Sequence, residues 1–208
     1  QSITKKTNQD VQVKIKVNEP IQEIAGWKLE ENKLEISKTY TENTEETIQI
    51  KDIAGNTLKE EIKINNIDKK APQLEVTYST KEKTSRGVKV TITSDEQIKQ
   101  LSGWSLSTDG KTLIKTYTKN TNQDLEISDI AGNKTTVNVK IENIDLTEIE
   151  VEVEYSKTEL TNQNVEVTIK SNKELQNVEG WKIAKDKKSI SKEYEANKKE
   201  TVTIKDEA

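Results

Sequence analysis

Strict alternation of apolar and polar residues recurs along the chain. Val88, Val90 and Ile92 alternate with Lys89, Thr91 and Thr93, and the same pattern stands at Val11, Val13, Ile15 and at Val165, Val167, Ile169. A period of two puts one face of a segment in a core and the other in water, which predicts antiparallel strands. Leu74, Val76 and Tyr78, then Leu125 and Ile127, then Val137, Val139 and Ile141 predict further strands, with shorter runs over 102–106 and 113–117. Turn signals separate them, notably Ser107-Thr108-Asp109-Gly110 and Ala131-Gly132-Asn133. Six or seven short strands in about 75 residues, with no helical period, predict a small all-β sandwich.

The pattern itself returns at a fixed step. Trp27, Trp104 and Trp181 are 77 residues apart, as are Tyr40, Tyr117, Tyr194 and Asn43, Asn120, Asn197. Asp52-Ile53-Ala54-Gly55-Asn56 recurs at Asp129 to Asn133, and the third copy is reached at Asp206-Glu207-Ala208. No insertion or deletion is needed, so the chain is a tandem array with a 77-residue period. Repeats are expected at 1–68, 72–145 and 149–208, the first without its first strand and the third without its last. Three full copies would need 3 × 77 = 231 residues against the 208 present, which reads as a segment of a longer protein. The connectors 67–72 and 144–149 are short and not Gly/Ser-rich, as expected of semi-rigid spacers.

Composition then narrows the chemistry. The 33 basic and 37 acidic residues leave a net charge of −4, so no basic excess exists to neutralise phosphates or anionic lipid. No apolar run approaches the length of a transmembrane helix. No nucleic-acid partner and no membrane insertion are expected. The absence of Cys and His removes disulfides, thiolate and imidazole ligands, and every Ser-His or Cys-His nucleophile. Paired carboxylates such as Glu45-Glu46 and Glu60-Glu61 lie in charge-dense segments with no apolar pocket to shift them. An enzyme is not expected. Twelve positions are apolar in all three copies, among them Val88, Ile92, Ile98, Trp104, Leu113 and Ile127, which is enough for a thin core.

Gly103-Trp104, Lys115–Thr121, Asp129–Asn133 and Asn143–Asp145 recur in fixed order. This combination resembles the bacterial immunoglobulin-like repeats of large cell-surface adhesins, over the whole chain. The resemblance implies tandem immunoglobulin-like sandwiches arranged as a rod, in an extracellular protein of the cell surface or cell wall. The Lys, Asn, Ile and Glu bias is similar to that of low-GC Gram-positive bacteria. The implied function is a stalk or spacer that projects a distal domain, with neighbouring repeats of the same chain as its partners. The alternative is an adhesive module that engages a glycan or protein of host or wall through repeated weak sites.

Three sets of residues could carry more than structure. Trp27, Trp104 and Trp181 read as core, with an exposed sugar-stacking platform as the other reading. Tyr40, Tyr117 and Tyr194, each with an Asn three residues on, read as corners in which phenol or amide ties down backbone. The turns around Asp52, Gly55, Asn56 and Asp129, Gly132, Asn133 read as Asx-type caps, since Gly and Asn tolerate positive φ and the carboxylate accepts turn amides. In an immunoglobulin-like topology Asp68, Asp95, Glu96 and Asp129 would converge at one end of a repeat, an all-oxygen set suited to calcium. Lys69 and Lys70 beside that place, and Asn172-Lys173 in the next copy, argue against an ion, so no cofactor is the expectation.

Overall fold

The structure, a computed structural model, describes residues 5–208; the first four residues of the expected first repeat lie outside the described part. Among the described residues every regular element is a strand. In order they are β1 (Val11–Lys16), β2 (Lys28–Leu29), β3 (Glu35–Tyr40), β4 (Thr44–Lys51), β5 (Thr57–Ile64), β6 (Leu74–Tyr78), β7 (Val88–Ser94), β8 (Ser105–Leu106), β9 (Thr112–Tyr117), β10 (Thr121–Ser128), β11 (Lys134–Ile141), β12 (Val151–Tyr155), β13 (Val165–Ser171), β14 (Lys182–Ile183) and β15 (Ser189–Tyr194). Val11, Val88 and Val165 open equivalent strands, so the 77-residue step in sequence is also a step in secondary structure.

The strands form sheets in the orders β1-β3-β2, β6-β7-β9-β8 and β12-β13-β15-β14, with hairpins β4-β5 and β10-β11 beside the first two. Paired strands of known register are antiparallel. Val11 faces Tyr40 and Lys16 faces Glu35 in β1 and β3, and Val165 faces Tyr194 in β13 and β15. The β4-β5 hairpin runs from Thr44 opposite Ile64 to Lys51 opposite Thr57. The fold is all-β, built of several antiparallel sheets.

Packing groups the chain into two compact units, and the middle repeat contributes to both. One holds the described residues up to Thr77 with Thr91–Lys115 and Gln123–Val139; the other holds Tyr78–Val90, Thr116–Asn122 and Lys140–Ala208. In the first unit Val11, Ile36 and Tyr40 of one sheet pack with Ile48, Ile50, Ile62 and Ile64 of the hairpin. Two sheets thus close over one core, with Trp27 at 8% exposure among them. The second unit has a smaller cluster of Ile169, Leu175 and Ile190, against which Trp181, Ile183, Val202 and Ile204 are only partly buried.

The alternating positions report how completely each strand is covered. Val88, Val90 and Ile92 of β7 are fully buried. Of their counterparts in β1, which among the described residues pairs with β3 alone, Val11 is buried against the hairpin while Val13 and Ile15 are half-buried. Val165 and Val167 are also half-buried: β13 is flanked by β12 and β15, yet no hairpin is formed by the residues after Tyr194. All five residues of β12 are exposed, Val151, Val153 and Tyr155 included, whereas Leu74, Val76 and Tyr78 of β6 are half-buried. A pleated face with no second sheet over it stays wet.

The ends of the first two repeats are tied by backbone. Thr7 bridges Ile67 in parallel, with Thr7 N donating to the Asn66 carbonyl and Asp68 N to the Thr7 carbonyl, both at 2.8 Å. Thr84 and Ile144 repeat the parallel bridge. Asn43 then clasps Ile67 with two bonds of 2.9 Å, its amide donating to the carbonyl and its oxygen accepting the N–H. Asn120 does the same to Ile144. At these two corners the amide holds the chain, while the phenols of Tyr40 and Tyr194 bond to Glu46 and Glu200.

Trp104 is 6% exposed and Trp181 is half-buried, so their losses should differ. Trp104→Ala is expected to cost about 3–5 kcal/mol and Trp181→Ala clearly less, read from urea unfolding followed by circular dichroism. In the parent chain, iodide should quench the emission of Trp181 and spare that of Trp27 and Trp104.

Candidate cation site at the repeat junction

The turn at Asp129 is built around its own carboxylate. Oδ1 accepts Gly132 N at 2.5 Å and Asn133 N at 2.8 Å, while Oδ2 accepts Asn133 Nδ2 at 2.8 Å. Gly132 sits at φ +104°, a conformation that costs glycine little and other residues much. Asp129 is fully buried, and these bonds satisfy it. The turn at Asp52 has the same design, with Asn56 N at 2.8 Å, Asn56 Nδ2 at 2.7 Å and Gly55 at φ +99°. The Asn56 amide, ahead of the backbone N–H groups, holds the Asp52 carboxyl below its usual range.

Asn133 has a second task. The same Nδ2 donates to the Asp68 carbonyl at 2.8 Å, so the turn grips the connector that precedes its repeat. Thr135 Oγ1 donates to the Pro72 carbonyl at 2.7 Å, and Gln73 N donates to Asp95 Oδ1 at 2.8 Å. Asp95 also receives Lys70 Nζ at 3.1 Å; the Gln73 N–H first, then Lys70, keep its carboxyl below the ordinary range. In the second unit Glu150 N donates to Asn172 Oδ1 at 3.0 Å, the same bond with an amide in place of the carboxylate.

Carboxylates of Asp68, Glu96 and Asp129 converge here, one oxygen of each lying within 4.8 Å of the other two. Of the four acidic residues that sequence placed together, three meet and Asp95 does not, being committed to the connector. Burial, then the neighbouring Asp68, Asp129 and Asp95, push the Glu96 carboxyl up. The nearby lysines are distributed elsewhere than sequence suggested: Lys69 pairs with Asp10 at 2.7 Å and Lys70 with Asp95, while Lys6 reaches Asp68 at 3.2 Å. The three carboxylates could hold a cation through oxygen alone.

A second constellation surrounds the tryptophans. Trp27 meets Tyr40 edge-to-face at 6.4 Å, and Trp181 meets Tyr194 likewise. Lys38 Nζ lies 5.9 Å from the Trp27 ring centre and 4.9 Å from that of Tyr40; Lys115 and Lys192 stand over Trp104 and Trp181 at 5.9 and 5.7 Å. A lysine thus covers each indole, a cation–π arrangement that leaves the ring face occupied. Lys38 in turn donates to both oxygens of Glu46, at 2.8 and 3.0 Å, and Tyr40 donates to Glu46 at 2.5 Å. Burial first, then Glu46, raises the Tyr40 phenol far above its usual value. Lys192, Glu200 and Tyr194 repeat the set. The middle repeat has Gln123 where the others have glutamate.

Comparison with family models, curated proteins and solved structures returns no match.

Glu46 and Glu200 are held below their ordinary value of 4.5, Glu200 down to about 2, by their lysines first. A lowered folded pKa stabilises fully above the ordinary range and fades as pH falls toward the folded value. Urea unfolding measured between about pH 5 and 2 should therefore lose part of its acid dependence in Glu46→Gln and Glu200→Gln, and gain some in Gln123→Glu.

Proposed function

We propose that the chain is a structural spacer: tandem immunoglobulin-like repeats set in line, extracellular, in a stalk that projects another domain from a bacterial surface. The observation that carries this reading is the treatment of the connectors. The segments between repeats are bound by side chains of the repeat that follows: Asn133 holds the Asp68 carbonyl and Asp95 meets Lys70 and Gln73 N at the first, and Asn172 holds the Glu148 carbonyl and Glu150 N at the second. A connector held at several points by the repeat it enters transmits orientation, whereas a free tether does not.

Two further features support it. Each tryptophan face is covered by a lysine of the same repeat, so the most obvious sugar-stacking platform is already filled. Charged side chains of both signs pair across the exposed strand faces, as Lys63 with Glu45 and Lys134 with Glu126, and such surfaces resist edge-to-edge association.

Small-angle scattering on chains of two, three and four repeats is the test. The maximum dimension should rise linearly, by about 30–40 Å per repeat, the length of an eight-residue strand at about 3.3 Å per residue plus its turns and a connector. An array of glycans and surface proteins should stay blank. A compact particle would sink the spacer reading, and binding abolished by removing the tryptophans would favour the adhesive module.

A further inference from the structure

Residues 198–205 stand two repeat lengths after β4 and lie where β4 lies. Gln176 N donates to the Lys205 carbonyl at 2.9 Å, as Gln22 N does to that of Lys51 at 2.8 Å, and Leu175 bridges Asp206 as Ile21 bridges Asp52. Lys192 and Tyr194 both reach Glu200, as Lys38 and Tyr40 reach Glu46. Val202 and Ile204 pack against the cluster of Ile169, Leu175 and Ile190. Yet 198–205 form no strand, whereas β4 is held by β5 over eight residue pairs. The sheet face beside it is open as well. Val153 lies opposite Ile169 and Tyr155 opposite Val167 in the β12–β13 ladder, so these side chains share the core side. Val151, Val153 and Tyr155 are nevertheless 49%, 46% and 57% exposed. Their equivalents Leu74, Val76 and Tyr78 are half-buried, and β11 reaches both ends of that strand: Thr135 Oγ1 donates to the Pro72 carbonyl, and Lys140 N to the Tyr78 hydroxyl at 3.2 Å.

We propose that the third repeat is a receptor for one added strand: an extended peptide segment, apolar at alternate positions, that pairs with 198–205 and closes over Val151, Val153 and Tyr155. The two earlier repeats show the chemistry of this occupant. Its inward positions are those of Ile62 and Ile64 in β5 and of Val139 and Ile141 in β11, all buried. Its outward positions are chosen by charge. Glu45 of β4 faces Lys63 of β5, and the two pair at 3.1 Å. In the third repeat the place of Glu45 is taken by Lys199, which is exposed. The added strand therefore carries a carboxylate where β5 has Lys63 and β11 has Lys140. A β5 or β11 strand from a second copy would set lysine against lysine there, so the occupant is not this chain. Backbone bonds supply affinity in such strand addition, and alternate side chains supply the choice of partner. Asn197 and Thr161 stand where Asn120 clasps Ile144 and Thr84 bridges it, ready to hold the end of the segment. The site is independent of whether the array serves as spacer or adhesive module.

The probe is a synthetic peptide of the sequence Asn133–Asp145 carrying Lys140→Glu, titrated into the full chain and followed by calorimetry, amide exchange and iodide quenching of tryptophan emission. One peptide per chain is expected, with Kd below about 1 mM, slowed exchange over 198–205, and protection of Trp181 from iodide. The unsubstituted peptide should bind about threefold more weakly, and Lys199→Glu in the chain should reverse that order, which a general apolar contact would not do. Val153→Glu, at a position already exposed, should abolish binding without unfolding the repeat, and a peptide with Ser at its Val137, Val139 and Ile141 positions should not bind. No heat at about 1 mM peptide, protection that falls outside 198–205, or an order indifferent to Lys199→Glu would each overturn the site while leaving the spacer reading intact. A chain that dimerises in sedimentation and thereby protects 198–205 without peptide would overturn it in favour of a second copy.

Discussion

An apolar residue on a sheet is dry when something packs over its face, and that requirement governs this chain: Ile48, Ile50, Ile62 and Ile64 are buried even on a two-stranded hairpin, because Val11, Ile36 and Tyr40 of the facing sheet pack against them. The three copies share their alternating pattern, yet they do not share its outcome. Val90 and Ile92 are fully buried, Val13 and Ile15 are half-buried, and Val165 and Val167 lack a covering hairpin. Burial of a valine or isoleucine is worth roughly 1.5–3 kcal/mol, so losing part of it at several positions is a large fraction of a small domain's stability. The stability of each repeat follows from its neighbours in the sheet more than from its own composition.

Polar groups do the complementary work. Asp129 is the only fully buried carboxylate among the described residues, and it is surrounded by N–H groups of its own turn. A carboxylate satisfied by short-range backbone donors organises the turn without needing a distant partner. Its amide neighbour Asn133 then faces two ways, to Asp129 and to the Asp68 carbonyl, and so makes one turn both the end of a repeat and the holder of the connector.

Much of this was readable from residues alone. Period-two alternation located β7, β9 and their counterparts closely, because their apolar faces are long enough to show the pattern. The Gly103-Trp104 run shortened to a two-residue strand, since Gly103 turns at φ +75° and Trp104 N bonds back to the Leu101 carbonyl. The hairpins extend beyond their apolar residues, because their polar ends still pair in the ladder, as Glu45 with Lys63. Sequence places Asp95 and Glu96 together at one end of the repeat, but one residue of offset sends the first to the connector and the second to the acidic cluster. The lysines over the indoles were not legible, since a lysine on the polar face of a strand gives no sign of what lies beside it.

The parallel bridges carry a consequence for a chain under load. Thr7 enters its repeat beside Ile67, which leaves it, and the two segments run in the same direction; Thr84 and Ile144 are arranged alike. A force that draws the two ends of a repeat apart slides one of these segments along the other. The bonds of Thr7 to Asn66 and Asp68 are then strained together and not one after another, and the Asn43 clasp on Ile67 is strained with them. Traction is met by a set of bonds acting in shear at the mouth of each repeat, before any strand of the core is asked to move.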